Sequence, residues 1–194
     1  DVYKRQFNKC EKFTISKTVL VTGISGFIGI YCAKYLLNEG YKVRGTVRNY
    51  SKKKEVINTF KKNDINIKNL TFEILELTSD NGWDKAINGC EFVMHVASPF
   101  RIANPRNEDE MISPAVEGTR RVLEASQKAG VKRIVLTSSI VSMMSSIRRG
   151  QFGPEDWTDL NHPNLNTYIR SKTLAEKSAW DFINENKKIS KMEL

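Results

Sequence analysis

The chain has 194 residues, 40% hydrophobic and 27% charged, a balance that suits one α/β domain with a packed core. No apolar run approaches the roughly 18 residues that a membrane span needs, and no signal-type apolar stretch follows Asp1. The net charge is +9, yet residues 1–62 alone hold 14 Lys and Arg against 4 Asp and Glu, so the remainder sums to −1.

A basic surplus of this kind often marks nucleic-acid binding, but no nucleic-acid motif accompanies it here. It reads as a solvated face, with some residues available to bind a phosphate. Cys10, Cys32 and Cys90 lie far apart without a Cys-x-x-Cys, and His95 and His162 are the only histidines. That argues against a disulfide framework and against a metal site, and it suits a reducing cytoplasm.

Residues 1–17 show no periodicity and are set aside as an unassigned tail. Residues 18–22 form a β-branched run, the pattern of a buried strand. Glycines follow, then a helix over 27–38 with Ile28, Cys32, Tyr35 and Leu36 at helical spacing and Gly40 as its stop. A second strand is expected over 41–47, then a lysine-rich helix over 52–62 with Val56, Ile57 and Phe60 inward. Residues 70–75 read as a third strand, 83–87 as a short helix and 91–96 as a fourth strand. A long helix over 108–129 contains Pro114, which is expected to kink or restart it. Residues 132–137 read as a fifth strand, and 142–166 as a long irregular connection of the kind that often carries function. A last helix spans 167–185, and 192–194 opens a sixth strand. Strand and helix alternate throughout, which implies a doubly wound parallel sheet of Rossmann type. The pattern stops where a further strand is due, so residues 18–194 read as a nucleotide-binding domain incomplete at its C-terminus.

Between the first strand and the first helix lies Thr22-Gly23-Ile24-Ser25-Gly26-Phe27-Ile28-Gly29, with the spacing Gly-x-x-Gly-x-x-Gly. Gly23 suits the tight turn, Gly26 lets backbone approach a pyrophosphate, and Gly29 lets the helix pack close to the sheet. The helix N-terminus supplies free N–H groups and partial positive charge. Glycines alone are a weak signal; strand before and helix after make them informative. At the end of the second strand, where NAD-binding chains place a carboxylate for the ribose hydroxyl, stands Arg48, followed by Lys52, Lys53 and Lys54. A guanidinium can bond a 2′-phosphate that a carboxylate would repel, which favours NADP.

Tyr168 and Lys172 stand four residues apart on the last helix and share a face. A tyrosine hydroxyl is a poor acid at neutral pH; a neighbouring ammonium favours the phenolate and makes the pair usable for proton transfer. Tyr50 and Lys54 match the same spacing by accident. The fifth strand ends in Thr137-Ser138-Ser139, at the sheet end where α/β folds bind ligands, and a hydroxyl there can hold a substrate oxygen.

With these residues in order, the sequence resembles the extended short-chain dehydrogenases, specifically the dihydroflavonol reductase-like branch of the epimerase/dehydratase superfamily. The resemblance rests on Val21-Thr-Gly-Ile-Ser-Gly-Phe-Ile-Gly29, Thr46-Val-Arg48, His95-Val-Ala-Ser-Pro99, Val135-Leu-Thr-Ser-Ser139, Glu155-Asp-Trp157 and Tyr168-Ile-Arg-Ser-Lys-Thr-Leu-Ala-Glu176. It implies that Gly23, Ser25, Gly26, Phe27, Ile28 and Gly29 cradle the cofactor and that Arg48 meets the 2′-phosphate. Val96, Ala97 and Ser98 would line the cofactor, with His95 structural through its backbone more than its ring. Ser139 would bond the carbonyl oxygen, Tyr168 donate the proton, and Lys172 bond the nicotinamide ribose and tune Tyr168.

Some positions depart from the family pattern. Glu76-Leu77 stands where the family has Asp-Leu near the adenine, Lys54 or Glu55 where it has a second phosphate-binding lysine, and Ile140 where a small residue often follows the serine. The resemblance thus implies an NADP-dependent reduction of a small-molecule carbonyl, with no nucleic-acid or membrane partner. Its C-terminal substrate domain would lie outside this chain, which alone is expected to turn over poorly. The alternatives are a nucleotide-sugar epimerase or dehydratase of the same superfamily, and a non-catalytic NADP-binding redox sensor.

Overall fold

A computed structural model describes residues 17–99, 105–146 and 149–186. β1 (Thr18–Thr22) is the central strand of a five-stranded sheet in the order β3-β2-β1-β4-β5. β2 (Lys42–Val47), β3 (Leu70–Ile74), β4 (Phe92–His95) and β5 (Arg133–Leu136) complete it. Every pairing is parallel, with Val19 level with Val43 on one side and Phe92 on the other. Strands in such a sheet are covered on both faces, which is why β1 is apolar without alternation and Val19, Leu20 and Val21 are fully buried.

Successive residues of β1 feed opposite cores. Val21 joins Ile24, Ala33, Leu37, Val43, Val56 and Phe60 beneath α1 (Phe27–Asn38) and α2 (Tyr50–Lys62). Leu20 joins Trp83, Ile87, Val93, Leu123, Ile134 and Phe182 beneath α3 (Trp83–Ile87), α4 (Asp109–Lys128) and α6 (Thr167–Asn186). The chain builds outward from β1 first to one side, then to the other. The crevice beyond the ends of β1 and β4 is therefore the topological switch point, where open α/β sheets bind ligands.

The elements fall close to their expected places, with informative differences. α1 buries Gly29, Ala33 and Leu37, and of the apolar residues at helical spacing Cys32 and Leu36 pack partly against that core. Ile28 is 49% and Tyr35 69% exposed. With Phe27, Tyr31, Cys32, Leu36 and Met94 they line an open apolar groove instead. The reason is closeness: a Cβ at Gly29 would sit 2.5 Å from the Gly23 carbonyl oxygen, so the face against the sheet must be small. α2 starts two residues early because the Asn49 side chain accepts from the Lys52 N–H at 3.0 Å and caps it. α4 runs unbroken through Pro114, so no restart occurs there.

The connection after β5 is more ordered than its composition suggests. α5 (Val141–Met144) forms a helical turn. Buried Thr158 folds the chain back on it, donating from Oγ1 to the Val141 carbonyl at 2.6 Å and from N–H to the Ser142 carbonyl at 2.8 Å. The expected strand over 192–194 lies outside the described residues.

Gly29→Ala is expected to lower stability by about 1–3 kcal/mol, the usual cost of overpacking, whereas Gly26→Ala, whose Cβ would meet only the Gly23 oxygen at 3.3 Å, should cost less. Urea midpoints of the two variants measure the order, and equal midpoints would contradict the close-packing account.

Candidate functional site

The glycine turn is held from β2. Thr46 accepts from the Gly23 N–H through Oγ1 at 3.0 Å and from the Ile24 N–H through its carbonyl at 3.2 Å. Gly23 has φ +64°, and a Cβ there would lie 3.0 Å from Ala97 Cα, so the turn also leans on the segment after β4. α1 then begins at Gly26 with no side-chain cap and no acid in its first turn. Ser25, Gly26, Phe27 and Ile28 are exposed around it. An uncapped helix start presents orphan N–H donors and positive potential, and Gly26 at its cap carries no side chain; these residues fit a dinucleotide pyrophosphate.

The basic residues at the end of β2 separate by their neighbours. Lys52 pairs with Glu55 at 2.7 Å, and the Lys53 ammonium lies 5.5 Å from the centre of the Phe72 ring. Arg48 and Lys54 are exposed and their side chains make no hydrogen bond or ion pair among the described residues. Both remain available to a phosphate. On the next strand's exit, Glu76 is exposed, while Leu77 turns its side chain against Gly118 of α4 and accepts from Arg121 through its carbonyl at 3.2 Å.

At the switch point a buried side-chain network ties three elements together. Thr22 Oγ1 accepts from the N–H groups of Val96 at 3.0 Å and Ala97 at 2.9 Å, and lies 2.8 Å from His95 Nδ1. With its acceptor sites used, the Thr22 hydroxyl donates to Nδ1. The imidazole proton is thereby assigned to Nε2, facing Thr119 Oγ1 at 3.4 Å, and Thr119 donates onward to the Ala115 carbonyl at 2.8 Å. This corrects the expectation that the His95 backbone matters more than its ring: the ring joins β1, β4 and α4. Burial, with the nearby Lys172 ammonium adding to it, pushes the His95 pKa down to about 3.

The second wall is α6. Tyr168, Lys172 and Glu176 recur at one-turn intervals along it. Lys172 is only 8% exposed, and its ammonium donates to the Thr137 carbonyl at 3.2 Å. Burial pulls its pKa below the lysine range and the Glu176 carboxylate opposes that. Ser138 donates to Glu176 and lies 3.2 Å from Ser142 Oγ. Among the described residues Ser139 Oγ accepts only a long bond, 3.5 Å, from the Val141 N–H, which leaves its hydroxyl hydrogen to give. Ala97, Ser98, Thr137, Ser138, Lys172 and Glu176 line one small cleft. Val96 instead packs toward the core beneath α1, and Ile140 projects outward, 65% exposed. Tyr168 is half-buried at the start of α6.

The sequence reading missed Thr22, the His95 ring, Thr119, Arg121 and a role for Glu176. The stripe Tyr168, Lys172, Glu176 was the one available signal among these. Among the described residues no helix is long and apolar enough to cross a membrane, and no group of three or more His, Cys, Asp or Glu side chains could hold a metal ion.

A parallel sheet with this crevice and glycine turn defines a dinucleotide-binding fold. The chain belongs to the NAD dependent epimerase/dehydratase family, whose model matches residues 19–192. It is 41% identical over 175 residues to cinnamoyl-CoA reductase 2 of Medicago truncatula, covering 88% of this chain and 50% of that one. It is 35% identical over 197 residues to an uncharacterised oxidoreductase of Saccharomyces cerevisiae, covering 93% and 56%. Among solved structures, Gre2 of Candida albicans in complex with NADPH superposes with a TM-score of 0.79 at 32% identity, over 91% of this chain and 55% of that one. The chain thus spans about half the length of the relatives it matches.

The depressed His95 pKa has a stability consequence. Between pH 6.5 and about 3 the unfolded chain binds a proton there that the native chain does not. Stability from this group is complete above pH 6.5 and is lost as pH falls toward 3, with a slope approaching about 1.4 kcal/mol per pH unit. Ring NMR should show a neutral Nε2–H imidazole down to pH 4.5. An imidazolium at pH 5.5 in the folded chain would contradict the network.

Proposed function

We propose that this chain binds NADP(H) and is the cofactor-binding part of a reductase that converts an aldehyde or ketone carbonyl into an alcohol. The observation that carries this reading is Lys172. A buried ammonium, bonded to the carbonyl at the end of β5, lies on the same sheet edge as the uncapped glycine turn. A buried cation with that address is costly for structure alone and useful beside a ribose and a tyrosine.

In this reading Gly23, Ser25, Gly26, Phe27, Ile28 and Gly29 cradle the pyrophosphate, and Arg48 with Lys54 meets the 2′-phosphate. Glu76 and Leu77 adjoin the adenine; Val96, Ala97 and Ser98 flank the middle of the site. The bound cofactor supplies hydride to the carbonyl carbon. Ser139 donates a hydrogen bond to the carbonyl oxygen and Tyr168 gives that oxygen its proton, so the carbonyl gains two electrons and two hydrogens. Ser139 suits the role better than Ser138, whose hydroxyl is committed to Glu176. Lys172 bonds the ribose and favours the phenolate that the transfer leaves on Tyr168. Residues 18–194 form the Rossmann unit. The substrate-enclosing part belongs to the further length that the relatives have, so these residues alone bind cofactor and turn over poorly.

Titration calorimetry is expected to give NADPH at least about tenfold tighter than NADH, roughly 1.4 kcal/mol, with the order reversed in Arg48→Asp. Equal affinities before mutation would overturn the cofactor assignment. In a version carried to the relatives' length, Tyr168→Phe should abolish carbonyl-dependent NADPH oxidation and leave NADPH affinity within about twofold. Near-normal turnover by that variant would remove Tyr168 as proton donor.

A further inference from the structure

The turn that follows β3 is gripped by one side chain from the neighbouring helix α4. The Leu75 N–H donates to the Val47 carbonyl at 3.0 Å, which sets the turn beside the exit of β2, one residue from Arg48. Arg121 of α4, its side chain 19% exposed, then engages the turn from behind. Its Nη1 donates to the Leu77 carbonyl at 3.2 Å, its Nε donates to the Asp80 carboxylate, and its Nη2 donates to Glu117 at 3.1 Å. All three guanidinium nitrogens are used, and the two carboxylates raise the Arg121 pKa further.

The same helix grips Leu77 a second way. A Cβ at Gly118 would lie 2.2 Å from Leu77 Cγ, so the absence of a side chain at Gly118 is what admits the leucine. Beyond it, the Trp83 indole N–H donates to the Ser79 carbonyl at 3.0 Å and closes the turn's far side. Leu77 is thus fixed by side chain and carbonyl together, and Glu76 is left as the exposed carboxylate beside it.

We propose that Arg121 is a positioning residue for the adenosine end of the cofactor site, holding the turn at Glu76 and Leu77 without touching the ligand. The proposal rests on the NADP(H) reading above. If the pyrophosphate lies at the glycine turn and the 2′-phosphate at Arg48, the adenosine between them must lie against the exits of β2 and β3, where this turn forms the wall. A planar fork suits the task better than an ammonium would, because its bonds to a carbonyl and a carboxylate fix direction as well as distance.

The test uses half-cofactors on the chain as it stands: adenosine 2′,5′-bisphosphate for one end and reduced nicotinamide mononucleotide for the other. Arg121→Met is expected to weaken the bisphosphate about tenfold and leave the mononucleotide within about twofold. Asp80→Ala, at an exposed carboxylate, keeps the question open to measurement if Arg121→Met fails to fold; it should weaken the bisphosphate by a smaller factor in the same direction, and Arg121→Lys should restore part of the loss. Unchanged bisphosphate affinity in both Arg121→Met and Asp80→Ala overturns the proposal, as does a parallel loss of both half-cofactors, which would mark general destabilisation. Failure of the unmutated chain to bind the bisphosphate overturns the cofactor reading itself, and this proposal with it.

Discussion

The Thr22 hydroxyl is the point on which the crevice depends. β1 and β4 are neighbours, but their chains leave toward opposite faces, one into α1 and the other toward α4. Nothing in the sheet ladder holds the two exits together past the last paired residues. Thr22 does so by accepting both amides of the β4 exit and donating to the ring beneath. Leaving such a buried donor or acceptor unpaired costs about 1–3 kcal/mol each, and here two amides and a ring nitrogen rely on one oxygen. The close approach of Ala97 to Gly23, which allows only glycine there, follows from that stitch.

The neutrality of His95 matters to what lies behind it. Lys172 is close enough to depress its pKa, and an imidazolium would set two cations together in a dry interior. The hydroxyl partners on both ring nitrogens satisfy the neutral form, with one acceptor and one donor site. The cleft therefore keeps a single buried cation, offset by Glu176 on the same helix. Much of the surface charge is likewise paired locally: Lys85 with Glu73 at 3.2 Å and Lys132 with Glu91 at 2.8 Å, besides Lys52 with Glu55. Exposed pairs of this sort are worth little in stability, but they leave Arg48 distinct as an uncommitted guanidinium beside the glycine turn.

How much of this was legible in the sequence depended on whether a feature is local. The bounds of β1 and α1 follow from a β-branched run, three glycines and Gly40, all within reach of one another. The buried face of α1 did not follow, because hydrophobicity marks Ile28 and Tyr35 while the true constraint is the lack of room at Gly29 and Ala33. Asn49 as a helix cap was readable and overlooked. The roles of Thr22, His95 and Arg121 were not readable at all: apart from Glu117, one turn from Arg121, their partners lie 24 to 75 residues away, and no spacing rule connects a threonine to amides on another strand. Glu176 lies between the two cases, in register with Tyr168 and Lys172 but given purpose only by Ser138 from β5.

The duplicated Tyr-x-x-x-Lys makes the same point about the site. Both copies fall on helices, Tyr50 and Lys54 in the first turns of α2, Tyr168 and Lys172 in those of α6. Spacing and helicity therefore do not choose between them. Tyr50 is 71% exposed, and its helix packs over the β2 side of the sheet. Lys172 is buried against the carbonyl of Thr137, where β5 ends beside the switch point. What separates an accidental pair from a candidate catalytic one is the strand end each helix reaches. The packing of the helices decides that, since α6 lies against α4 and α5 on the β5 side while α2 covers β2.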